Sequence, residues 1–318
     1  MTNIVLKYTI KEEQILREFL LENNISRKTL TRIKFDSDGS IKVNGREENV
    51  RYLLKKNDIV EITLPSENFS EFVRFINRDI NIVYEDPYFL IVNKEINLPS
   101  IPSRNLEDES LLERINYYFK SKSINTIPHI VTRLDKNTSG LVLVAKHRHI
   151  HALFSNMEID KFYTALVSGK VKDNEIIEAP IRRVSSSIIE REVGEGGEFA
   201  KTEYWLEEYI SDKDISVVKL KLYTGRTHQI RVHMKYKGYP LLGDELYGGD
   251  VSLITRQALH CNNLIFNHPI TGEIVNVKAD PPEDMINIMK HRYINSVHMF
   301  FCLTFYFSRL KIFAKYKF

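Results

Sequence analysis

Asp135 stands between Arg133 and Lys136 in the stretch His129-Ile-Val-Thr-Arg-Leu-Asp-Lys-Asn-Thr-Ser-Gly-Leu141, which runs straight into an apolar segment, Leu141 to Ala145. Such a loop can project an aspartate and an arginine from a fixed scaffold, with Ser139 and Gly140 supplying the tight turn into the strand. A carboxylate held in this way can act as a nucleophile. It stays ionised in a dry pocket when a nearby guanidinium counters desolvation and fixes its orientation. Arg133, two residues earlier on an extended loop, points the other way. Taken singly, Asp135 reads as a turn or cap residue, Tyr163 as a core aromatic and Arg226 as a surface ion-pair partner. Only together do they acquire a chemical meaning.

Other reactive side chains set limits. His147, His149 and His151 lie close together, but no cysteine or carboxylate cluster accompanies them, so a solvated helix face is expected rather than a metal site. The two cysteines, Cys261 and Cys302, are too far apart for a zinc or disulfide framework, which fits a reducing cytoplasm. The formal net charge is +3, yet the last 27 residues hold five Lys/Arg and no acid, leaving −2 for residues 1–291. Bulk charge gives no argument for a nucleic-acid partner. A local run does: between Asp214 and Asp244 stand Lys219, Lys221, Arg226, Arg231, Lys235 and Lys237, with two histidines and no acid.

The elements that must position these residues follow from the hydrophobic pattern. Length and composition allow one catalytic domain and a smaller companion. Ile15, Leu16, Phe19 and Leu20 form a helical stripe, and Ser26 is placed to cap a second helix carrying Arg27, Lys28, Arg32 and Lys34. Ser40 to Gly45 reads as a strand entering an Asn-Gly turn, with Ile59 to Leu64 as its partner. These elements define a small domain, 1–64, followed by a polar linker, 65–79. Beyond it, strands are expected at Ile80 to Tyr84, Phe89 to Asn93, Leu141 to Ala145, Lys161 to Val167, Ser216 to Tyr223, Ile230 to His233 and Glu273 to Val277, with a helix at Asp108 to Phe119. Strands outnumber helices without strict alternation. That implies an α+β domain, 80–290, with a mixed, largely antiparallel sheet, and excludes a doubly wound nucleotide-binding fold. The apolar and basic tail, 291–318, is too short in its apolar core to span a bilayer. It reads equally as a packed helix, an interfacial anchor or a recent addition. The N-terminus lacks the apolar core of a signal peptide, so no export is expected.

Four ordered segments carry a resemblance. The stretch around Arg133-Leu-Asp135 and Thr138-Ser-Gly140 resembles the first signature of the RluA-type pseudouridine synthases, although Ile-Val-Thr separates His129 from Arg133. Lys161-Phe-Tyr-Thr-Ala-Leu-Val-Ser-Gly169 resembles their second motif, Thr224-Gly-Arg-Thr-His-Gln-Ile-Arg-Val-His-Met234 their third, and Leu242 to Gly248 with His260 and His268 to Gly272 their C-terminal half. The segment before residue 64 is similar to a degenerate form of the small RNA-binding domain named after the fourth small-subunit ribosomal protein. Where the family has Asn-Lys-Pro-x-Gly, this chain has Asn93-Lys-Glu-Ile-Asn97, so Asn97 is expected to take the glycine's left-handed backbone.

The resemblance implies an RNA pseudouridine synthase acting on ribosomal or transfer RNA. Asp135 would be the nucleophile, attacking either the sugar or the base. Arg226 would be its cation, and Tyr163 the ring stacked on an extruded uracil. Arg133 would fill the gap left by that base. Lys136, Ile230 and Arg231 join it in the expected RNA contact, together with Arg27, Lys28, Arg32 and Lys34 of the second helix. His228 and Gln229 would either contact RNA or brace the loop. No cofactor, metal or protein partner is implied, and a cytoplasmic monomer is expected. Two rivals are a non-catalytic RNA-binding protein and a glycoside hydrolase. The latter needs a second carboxyl group, for which only Asp244 and Glu245 are at hand.

Overall fold

Local signals near the N-terminus act as read. The computed structural model describes residues 3–36, 38–102, 108–172 and 174–290; the 291–318 tail, including Cys302, lies outside the described residues. Ser26 accepts a hydrogen bond from Thr29 N at 3.1 Å and starts helix Arg27–Phe35, which buries Leu30 and Ile33. Asn44 and Gly45 both have positive φ, 51° and 81°, as a tight two-residue hairpin turn requires, and join strands Ser40–Val43 and Arg46–Glu47. Strand Ile59–Thr63 is the other neighbour of Ser40–Val43 and pairs in turn with Val5–Thr9, giving a four-stranded antiparallel sheet.

The chain divides into two compact units: residues up to Tyr163 with Lys221–Tyr223 and Leu259–Asp280, and Thr164–Leu220 with Thr224–Ala258 and the segment from Pro281. In the first unit, strand Ser139–Ala145 is buried along its whole length, as its uninterrupted apolar run requires. It pairs antiparallel with Phe89–Lys94 and, through Ser139↔His260 and Gly140↔Cys261 only, parallel with Leu259–Asn267. Strand Ile274–Lys278 follows antiparallel to the latter. Helix Leu111–Ser121 begins with a reciprocal cap: Glu113 N donates to Ser110 Oγ, and Ser110 N donates to Glu113 Oε2 at 2.7 Å.

In the second unit, strand Glu175–Glu178 pairs antiparallel with Lys201–Ile210, next to which runs Ile215–Leu222. Leu166, Ile215, Val217, Leu242, Met285 and Ile288 share its core. The arrangement is the expected α+β one with a mostly antiparallel sheet. One expectation fails: Ile230 to His233 is not a strand but part of helix Gln229–Tyr236. Every residue from Gln229 to Met234 is buried, so these six residues show no solvent-facing side, and Ile230, Val232 and Met234 imitate a strand's alternation. Among the described residues no helix is long and apolar enough to cross a membrane.

Candidate active site

Asp135 sits on a turn held from both flanks. Thr138 N donates to Asp135 O at 3.0 Å, closing the turn. On one side, Ser100 Oγ accepts from Leu134 N at 3.0 Å and donates to Leu134 O at 2.9 Å. On the other, the Lys94 ammonium, 1% exposed, donates to Lys136 O at 3.2 Å as well as to Glu95 O and Leu98 O. Asn97, in the same segment as these carbonyls, has φ 57°, the left-handed backbone expected of it. Asp135 itself is half-buried and Arg133 exposed. Gly140 has φ 114°, and a Cβ there would fall 2.3 Å from Cys261 O, so only glycine fits this crossing of strands.

Tyr163 belongs to strand Asp160–Ser168 and is buried, with its hydroxyl hydrogen-bonded to Cys261. Burial pushes this phenol well above its usual range, and Cys261 and then the Asp135 carboxylate push it further. Burial likewise pushes the Cys261 thiol up to about 12. Both groups therefore keep their protons at neutral pH, and Tyr163 lies within the electrostatic reach of Asp135.

In the second unit, the Arg226 guanidinium donates to Phe199 O at 3.0 Å and pairs with Glu198 at 2.6 Å; its side chain is 40% exposed. Arg226 N donates to Gln229 Oε1 at 2.9 Å, and Gln229 Nε2 reaches Lys201 O and Thr202 Oγ1. Gln229 is buried and braces the loop, while His228, at φ 58°, hydrogen-bonds to Tyr247. Ile230 is buried. Arg231 is also internal: two of its nitrogens bind the Asp244 carboxylate at 2.7 and 2.8 Å, and its guanidinium lies 4.8 Å from the Tyr247 ring centre. Of the expected RNA contacts, Arg27, Lys28, Lys34, Arg133 and Lys136 are exposed, the last 3.1 Å from Asp108. Arg32 is half-buried against Asp36 and Ser66 O.

The basic run between Asp214 and Asp244 is largely neutralised by acids from elsewhere in the chain. Lys221 pairs with Asp160, Arg226 with Glu198, Lys235 with Glu190 and Lys237 with Glu175. The histidine cluster also departs from expectation: His147 and His149 are buried rather than solvated. His147 Nε2 lies 3.1 Å from Pro65 O and its Nδ1 accepts from His149 N at 3.0 Å, capping helix Arg148–Ser155. Among the described residues no group of three or more His, Cys, Asp or Glu is placed to hold a metal.

Sequence reasoning missed Glu67, which lies in the stretch expected to be a polar linker and gave no local signal. Its buried carboxylate accepts from His129 Nε2 at 2.9 Å and from Arg148, tying down the strand that leads into the Asp135 loop. Burial pushes this carboxyl up, but the His129 hydrogen bond, the His147 charge and the Arg148 hydrogen bond outweigh it and bring it down to about 2. A depressed carboxylate stabilises the fold above its unfolded value and ceases to do so as pH falls through the folded one. Glu67→Gln should therefore lower stability at neutral pH by about 3 kcal/mol, and the gap to the wild type should close as pH falls from 4.5 towards 2. Thermal unfolding across that range checks it; a gap independent of pH would show that packing, not charge, is lost.

Comparison with known proteins gives a consistent picture. The family model described as RNA pseudouridylate synthase matches residues 88–236. An uncharacterised RNA pseudouridine synthase of Bacillus subtilis, YjbO, is 40% identical over 280 residues, covering 86% of this chain and 98% of that protein. Ribosomal large subunit pseudouridine synthase D of Vibrio parahaemolyticus is 35% identical over 311 residues, covering 89% of this chain and 93% of that one. Among solved structures, human RNA Pseudouridylate Synthase Domain Containing 1 superposes with a TM-score of 0.53 at 28% identity, over 65% of this chain and 85% of its own.

Proposed function

This chain belongs to the RNA pseudouridine synthase family, and on that premise we propose that it isomerises uridines of ribosomal RNA with Asp135 as the nucleophile. The observation that carries this reading is the Asp135 turn, pinned through Leu134 and Lys136 and within electrostatic reach of the buried Tyr163. Ribosomal RNA is favoured because the Vibrio relative is named for the large ribosomal subunit.

In the proposed reaction the target uridine leaves its stack and Tyr163 lies against the uracil face. The Asp135 carboxylate adds to the sugar or to the uracil ring and the nitrogen–carbon glycosidic bond breaks; the base turns, a carbon–carbon bond forms to the sugar, the bond to Asp135 is released, and the ring carbon gives up its proton while the freed ring nitrogen gains one. Bonds are exchanged within one nucleotide with no net oxidation or hydrolysis, so no cofactor is required. Arg133, exposed beside the turn, fills the vacated position. Arg226 supplies the positive charge that keeps the carboxylate ionised and oriented. Residues 1–64 add affinity through Arg27, Lys28 and Lys34, which stand exposed on one helix. On this reading the enzyme acts in the cytoplasm. The hydrolytic alternative is disfavoured because Asp244, a candidate second carboxyl, is engaged by Arg231.

Comparing pseudouridine maps of ribosomal and transfer RNA from cells with and without the protein tests the substrate: sites lost only from transfer RNA would overturn the ribosomal reading. Arg226→Met tests the cation. On this reading its loss should slow single turnover by more than about tenfold, about 1.4 kcal/mol in the barrier, while RNA affinity changes little. A normal rate at saturation with weaker, less salt-dependent binding would make Arg226 a phosphate contact instead.

A further inference from the structure

The Asp135 turn ends on a buried serine. Ser139 is 3% exposed, and its Oγ lies 2.9 Å from Nδ1 of the equally buried His260, whose Nε2 lies 3.2 Å from Ala279 O. A carbonyl can only accept, so the ring proton sits on Nε2, Nδ1 is an acceptor, and the Ser139 hydroxyl is the donor. The bond joins the first residue of strand Ser139–Ala145 to strand Leu259–Asn267, whose parallel pairing is confined to Ser139↔His260 and Gly140↔Cys261. A ladder this short, with the most flexible residue type in it, fixes the chain direction poorly by backbone bonds alone. The next residue, Cys261, hydrogen-bonds to Tyr163. One dipeptide, His260-Cys261, is therefore in contact with both the end of the Asp135 turn and the buried tyrosine.

We propose that Ser139 and His260 are positioning residues for the isomerisation, their side-chain bond setting the angle at which the Asp135 turn leaves the sheet. This rests on the reading of Asp135 as the nucleophile. Neither residue touches the reacting atoms. Gly140 permits the close crossing, and the Ser139–His260 bond selects one geometry for it.

Two His260 variants separate the bonds. Asn places its side-chain oxygen where Nδ1 stands and can still accept from Ser139, whereas Gln reaches the Nε2 position and keeps the Ala279 contact but offers Ser139 no acceptor at Nδ1. Single-turnover rates at saturating RNA, RNA Kd and melting temperature are measured for Ser139→Ala, His260→Asn and His260→Gln, with Asp135→Asn alongside. Small displacements of a reacting group are costly, so Ser139→Ala and His260→Gln should slow the reaction on the order of ten- to a hundredfold, with Kd within about twofold of wild type. His260→Asn should recover most of that rate. Equal losses in the Asn and Gln variants, following their melting temperatures, would overturn the proposal; so would a wild-type rate in Ser139→Ala, which decides the matter alone if neither His260 variant folds. A wild-type rate in Asp135→Asn brings down the nucleophile assignment itself. Inactive Asp135→Asn with fully active Ser139→Ala removes only this inference.

Discussion

Asp135→Asn should abolish pseudouridine formation while leaving the fold and RNA affinity in place. The amide has the carboxylate's shape but is not a nucleophile under these conditions. The turn is closed by a backbone bond from Thr138 N to Asp135 O and its flanks are held by Ser100 and Lys94, bonds that the substitution leaves in place. A loss of at least about three powers of ten, about 4 kcal/mol in the barrier, is expected in single-turnover rate. The melting temperature should change by no more than about 2 °C, the range of an ordinary surface substitution. Turnover within about tenfold of wild type would remove Asp135 from the chemistry.

Arg231→Met should produce a large loss of stability. The Arg231 and Asp244 side chains are 8% and 1% exposed, and two of the Arg231 nitrogens bind the carboxylate. Removing the cation strands a buried carboxylate, which typically costs about 3 to 5 kcal/mol. In a protein of this size that lowers the melting temperature by roughly 10 °C. Replacing both partners, as in Arg231→Met with Asp244→Leu, should recover much of the loss because no buried charge is left unpaired. Thermal unfolding of the three proteins decides it: a double variant no more stable than Arg231→Met alone would show that the pair acts by something other than mutual neutralisation. Were Arg231 instead a phosphate contact, the single variant would keep its stability and bind RNA with a shallower salt dependence.

Much of the scaffold was legible because its signals are local. Ser26 caps a helix, Asn44-Gly45 turns a hairpin, and the apolar run from Leu141 marks a strand buried on both faces. Asn97 took the left-handed backbone because asparagine tolerates it better than most residues. What escaped was long-range. The acids that neutralise the basic run, Asp160, Glu175, Glu190 and Glu198, lie outside it in sequence. Burial from Gln229 to Met234 erased the amphipathic pattern of helix Gln229–Tyr236, and Arg231, expected to contact RNA, pairs with Asp244, which lies thirteen residues further on. Ser139 and His260 stood in recognisable motifs, but their bond spans 121 residues and cannot be read from either motif alone. Glu67, in a polar stretch, carried no mark at all.

As a member of the RNA pseudouridine synthase family, this protein is expected to rearrange uridine within RNA rather than merely bind RNA or release the base by hydrolysis. The direct measurement is to incubate the purified protein with ribosomal RNA lacking its pseudouridines, with no cofactor added, and then to quantify pseudouridine by position and free uracil in solution. Pseudouridine at discrete positions, with no uracil released and none formed by Asp135→Asn, is the expected result. Binding without pseudouridine, or stoichiometric release of uracil, would contradict it.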